Sequence, residues 1–92
     1  MIAVKSDGIH SYYDRNSDDL TVKLGYANSV YSDEVFDDIY LIRDEKDDKV
    51  VAFQILYLKR RSDYVLRKYL PSEVYRIVQK IKNDENIKVR YE

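Results

Sequence analysis

Between Ser32 and Leu58 the chain carries two apolar runs, one leading out to Arg43 and one returning from Val50, separated by six residues, 44–49, that are all charged. Two strand-length runs around a polar turn read as a β-hairpin, with Asp38 to Arg43 going out and Val50 to Leu58 coming back. The turn holds no glycine, so a longer loop is expected in place of a two-residue one. The returning run constrains the architecture most, because it is apolar on both sides. Val50, Ala52, Leu56 and Leu58 fall on one face, and Val51, Phe53, Ile55 and Tyr57 on the other. A strand of this kind is expected to be covered front and back. A chain of 92 residues has only its C-terminal segment to supply one cover. The second face is therefore expected to dock another subunit, and Val51, Phe53, Ile55 and Tyr57 are its candidate docking face.

Upstream, Ile9 to Asp14 and Leu20 to Leu24 are short β-rich runs around the polar loop 14–19. Leu20, Val22 and Leu24 alternate with Thr21 and Lys23 as in a half-buried strand. Tyr26 to Tyr31 reads as extended, and Ser32-Asp33-Glu34 as an acidic turn. Downstream, Ser62 or Asp63 can cap a short helix, Tyr64 to Leu70, that Pro71 ends. Ser72 can cap a second helix, in which Val74, Ile77, Val78 and Ile81 recur at three- and four-residue spacing. Ile87, Val89 and Tyr91 then alternate with Lys88, Arg90 and Glu92, which predicts a last strand that rejoins the sheet edge or pairs with a second protomer. The fold class that follows is α+β: an antiparallel sheet of four to six strands with two C-terminal helices packed on one face. All of it forms a single domain, 1–92, with a β-hairpin core at 10–58 and a helical extension with a terminal strand at 59–92.

Composition narrows the chemistry. Cysteine is absent, which removes disulfides, thiolate zinc sites and a thiol nucleophile, and leaves cytoplasmic as the default location. No basic segment followed by an apolar stretch opens the chain, and no run is apolar enough for a membrane span. Two glycines and one proline, with ten tyrosines and abundant Lys, Asp, Ile and Val, suit a heat-adapted microbe, as a compositional hint. The net charge is −1, yet residues 1–58 hold 12 acids and 6 bases while residues 59–92 hold 5 acids and 10 bases. Segregation of this kind balances charge within the fold or steers a partner.

The order of Tyr13-Asp14, the strand Leu20 to Leu24, Ser32-Asp33-Glu34 and the run Val50 to Leu56 resembles the small microbial family catalogued as a domain of unknown function, DUF2283. The likeness covers about residues 10–58. Ala52 stands where that pattern usually has Gly, and Gln54 where it usually has Glu, so a role resting on that Glu would not carry over. The resemblance implies a small α+β fold without catalytic residues and, in some relatives, an antitoxin-like role beside a small toxin.

Residues with chemistry in them do not converge. Asp14, Asn16 and Asp18 open like a calcium loop, but its sixth position is Asp19 instead of Gly and its twelfth is Gly25 instead of Glu, so the segment reads as a hairpin turn. The groups Asp33, Glu34, Asp37, Asp38 and Asp44, Glu45, Asp47, Asp48 read as solvated turns. His10 is the single histidine, and its neighbour Ser11 points to the opposite strand face. No cofactor or metal is expected. Lys59, Arg60, Arg61, Arg67, Lys68 and Arg76, interleaved with Tyr57, Tyr64, Tyr69 and Tyr75, form a candidate partner or nucleic-acid surface of phosphate-seeking charges and stacking rings. A sequence pI near 5.8 argues against a general nucleic-acid binder. The expected function is that of a small non-catalytic protein-interaction module, a homodimer, with an antitoxin-like partner such as a small toxin in view. Nucleic-acid binding through residues 57–76 is the alternative.

Overall fold

The computed structural model describes the backbone of residues 2–6 and the whole of residues 8–83. Among the described residues six strands form one sheet: β1 (Ile2–Ser6), β2 (Ile9–Asp14), β3 (Asp19–Lys23), β4 (Val30–Phe36), β5 (Ile39–Asp44) and β6 (Val50–Leu56). Their order across the sheet is β1-β2-β3-β6-β5-β4, and every neighbouring pair is antiparallel. Two helices follow, α1 (Asp63–Tyr69) and α2 (Ser72–Lys82), so the α+β class with C-terminal helices is observed. None of the described helices is long and apolar enough to cross a membrane.

Glycine-poor turns close the hairpins through aspartate. Asp18, Asp38 and Asp48 all take the left-handed conformation, at φ 57°, 61° and 63°. Asp pays less there than branched or bulky residues, because its short side chain can bond to nearby backbone. Around them, Asp14 Oδ1 accepts from the Asn16 backbone N–H at 2.9 Å, Asp44 Oδ1 from that of Lys46 at 2.8 Å, and Asp47 Oδ1 from that of Lys49 at 3.0 Å. The acidic loops are thus turn-builders first.

The core is a single layer between sheet and helices. Ile9, Tyr13, Leu20, Val22, Ile39, Phe53 and Ile55 project from the sheet, and Leu58, Leu66, Leu70, Val74, Ile77, Val78 and Ile81 meet them. The helical spacing read at Val74, Ile77, Val78 and Ile81 is the buried stripe of α2. Ser62 caps α1 by accepting from the Val65 N–H at 3.3 Å, as expected. Ser72 does not cap α2; Pro71 holds that position and its side chain cannot accept. Proline's fixed φ suits the entry to a helix, and the Pro71 carbonyl accepts the first bond, from the Tyr75 N–H.

Two further expectations are corrected, and one element is added. Ser32-Asp33-Glu34 is strand, inside β4, and the chain turns later at Asp37 and Asp38. Strand β1 was not foreseen at all. The returning strand ends at Leu56, because Tyr57 adopts φ 55° and turns the chain into a short 3₁₀ turn that drops Leu58 into the core. The expected strand at Ile87 to Tyr91 lies outside the described residues.

Candidate functional site

Register decides which sheet face is free. Val22 pairs with Phe53 and Phe53 with Leu41, while Leu20 pairs with Ile55 and Ile55 with Ile39. These residues share the face that the helices cover. Phe53 is 3% exposed and Ile55 fully buried, so the docking face expected from Val51, Phe53, Ile55 and Tyr57 is corrected: it is the core side. Val51 sits half-buried where the β5–β6 register shifts, and Tyr57 lies beyond the strand. The reason is size: the helices bury the side carrying the largest apolar groups, since burial scales with apolar area.

The opposite face is the open one. A row runs across four strands through Tyr12, Thr21, Gln54 and Tyr40, each the cross-strand partner of the next, with Ala52 and Ile42 paired alongside. All but Ala52 are half-buried in the single chain. Burial among its neighbours and the carboxylates of Glu34 and Asp38 push the Tyr40 phenol above its ordinary value, which keeps it a neutral donor. Sequence reasoning missed this face. Gln54, the one polar side chain in β6, was the signal, because it marks the parity that meets water.

Charge on the open face is split along the strands. His10 and Lys23 face each other at one end of β2 and β3, and Asp14 and Asp19 at the other. Next to the basic end, His10, Tyr12, Lys23 and Tyr26 line an open recess of about 390 Å³. At the acidic end, burial raises the Asp19 carboxyl above 3.8, Asp14 and Asp18 add to the rise, and a 3.4 Å bond from Gln54 Nε2 opposes it. Asp19 Oδ1 is buried without a hydrogen-bond partner among the described residues. A carboxyl raised in the folded state binds its proton more tightly there, so stability falls as pH rises through that raised value. Asp19→Asn is accordingly expected to be more stable than the parent at pH 7 in urea unfolding, with the advantage vanishing below pH 3.8. A variant less stable at both pH values would contradict this account.

Asp18 serves the fold. It is 4% exposed, its Oδ1 accepts from the Tyr13 hydroxyl at 2.5 Å, and its Oδ2 accepts from the Lys59 backbone N–H at 3.1 Å. Its own carbonyl takes the Leu58 N–H. The calcium-like spacing at Asp14, Asn16 and Asp18 is thereby explained as a turn tied to the helical segment. No group of three or more His, Asp or Glu among the described residues is arranged to hold a metal ion.

The basic residues divide. Arg61 is absorbed: its Nη2 donates to Asp38 Oδ2 at 3.0 Å and its Nε to the Leu56 carbonyl at 3.2 Å. Lys59 is half-buried beside Asp18, whereas Arg60, Arg67, Lys68 and Arg76 are exposed. Arg60 lies 5.4 Å over the Tyr57 ring, Arg67 5.3 Å over Tyr75 and Lys68 5.5 Å over Tyr69. These are cation–π distances, and each cation covers a ring face on which a base would stack.

No family model matches this chain, and neither a curated protein nor a solved structure was found to match it.

Proposed function

We propose that the chain is a non-catalytic interaction module that associates with a second copy of itself through the open sheet face. The observation that carries this reading is the charge split along β2 and β3. A two-fold axis lying in the interface and running across the strands sets the His10 and Lys23 end of one copy on the Asp14 and Asp19 end of the other. The half-buried row of Tyr12, Thr21, Gln54 and Tyr40, with Ile42 beside it, becomes the centre of that contact. An isologous, face-to-face sheet pair of this form is a standard packing mode. Aromatic and aliphatic groups then supply the burial, and the charged ends set the register.

The test is mass in solution. The 11.0 kDa chain is expected to sediment as a dimer at neutral pH, and more weakly as salt rises. Ile42→Arg should give a monomer while leaving the unfolding free energy within about 0.5 kcal/mol, because the site is on the outer face. A monomer at protein concentrations of about 0.5 mM, or a dimer indifferent to Ile42→Arg, would overturn the reading.

The likeness of residues 10–58 to the DUF2283 pattern supports the same class of function and adds a small toxin as a heterologous partner. Nucleic-acid binding has less support, with Arg61 held by Asp38 and three tyrosine rings under the chain's own cations.

A further inference from the structure

The recess of about 390 Å³ at the basic end of the open face is lined by Gly8, His10, Tyr12, Lys23, Gly25 and Tyr26. Its volume falls in the range of about 300–1,000 Å³ usual for small-molecule sites. No carboxylate lines it among the described residues, although the chain holds 17 acids; those at the ends of β2 and β3 lie at the opposite end, at Asp14 and Asp19. His10 and Lys23 are direct cross-strand partners, so their Cβ atoms stand about 5 Å apart on one face. Lys23 is exposed and has no ion pair among the described residues. Its three ammonium donors and the ring N–H that an imidazole keeps in either charge state are close enough to meet on a single tetrahedral anion.

Beside these donors stands an uncovered ring. Tyr26 is 81% exposed, the highest value among the described large hydrophobic residues, and its hydroxyl donates to Asn28 Oδ1 at 3.0 Å. The chain leading to it is tied down, because the Leu24 and Gly25 N–H groups both donate to the Val51 carbonyl, at 2.8 and 3.1 Å. Tyr57, Tyr69 and Tyr75 lie under the chain's own cations; among the described residues none covers Tyr26. A ring held in place with its face in water offers a stacking surface at little further ordering cost.

We propose that this recess binds a small phosphate monoester carrying a planar ring, a nucleoside monophosphate being the simplest form. The phosphate takes donors from Lys23 and His10, and the ring stacks on Tyr26, with half-buried Tyr12 as the inner wall. An isolated recess with two basic residues suits one nucleotide, whereas a strand needs a basic groove that tracks its backbone. The site stands independently of self-association and opposes it, because the phosphate and the Asp14 and Asp19 carboxylates of a second copy call on the same two donors.

Adenosine monophosphate titrated into the isotope-labelled full chain at low ionic strength is expected to shift the amide signals of residues 10–12 and 23–26, with a Kd of about 1 mM or tighter. Adenosine alone or inorganic phosphate alone should bind at least about tenfold more weakly, since each makes only part of the contacts. Lys23→Gln should weaken the nucleotide about tenfold, and Tyr26→Ala should weaken the nucleotide by a similar factor while leaving inorganic phosphate unchanged. Both residues are exposed, so the fold survives these changes. No saturable shift, equal binding of the nucleotide and either fragment, an unchanged affinity in Lys23→Gln, or shifts centred on Arg67 and Lys68 would each overturn the proposal. Asp14→Asn with Asp19→Asn removes the carboxylates that a second copy would bring and leaves the recess whole. Nucleotide binding in that variant should be as tight as in the parent or tighter, and its loss would overturn the site, whereas the mass of the parent chain in solution judges self-association alone.

Discussion

Phe53→Ala is expected to cost about 4 kcal/mol of folding stability, read from urea unfolding followed by circular dichroism. Phe53 is 3% exposed and is flanked by Val22 on one neighbouring strand and Leu41 on the other, with the helices above. Truncating it loses the transfer energy of the ring and leaves a cavity that the sheet, held by its ladder, cannot collapse to fill. A domain of this length has a total of about 5–14 kcal/mol to lose, so the variant would stand near its unfolding threshold. The same substitution on a docking face would have weakened association and barely touched stability. A loss below about 1 kcal/mol would return Phe53 to the surface and reverse the assignment of the two faces.

Asp18→Ala is expected to be nearly as damaging, at about 3 kcal/mol, although it lies in a hairpin loop. Three contributions add. The buried Tyr13 hydroxyl loses this acceptor, the Lys59 N–H loses its side-chain partner, and alanine must hold the left-handed conformation at φ 57°. Asp18→Asn keeps the shape and an accepting oxygen and should recover about half of the loss. A double-mutant cycle with Tyr13→Phe should show coupling of about 1–2 kcal/mol, since both changes remove one interaction. Additive effects would show that the short contact contributes nothing.

Much of the fold can be read directly from the residues. Periodicity identifies α2, the pairing of two β-rich runs identifies the β2–β3 hairpin, and the run at Val50 marks the central strand β6. These succeed because burial on one face imposes a period on the side chains, and that period is local. The edge strand β4 escapes such reading. Among the described residues it has one pairing partner, and it is largely solvent-exposed, so Ser32, Asp33 and Glu34 cost nothing there and look like a turn. The basic stretch misleads for a related reason: Arg61 looks like its neighbours in sequence, and only the approach of Asp38 from the β4–β5 turn withdraws it from the surface.

The residues alone determine that this chain builds an antiparallel sheet with two amphipathic helices after it, because strand and helix periods and turn chemistry act over a few positions. They also show that β6 carries apolar groups on both sides. Which side the helices take is decided in the tertiary structure. That choice depends on comparing whole faces, the larger area of Phe53 and Ile55 against Ala52 and Gln54, and on the left-handed turn at Tyr57 that carries Leu58 inward. Local pattern contains the two candidates; only the summed burial across six strands selects between them.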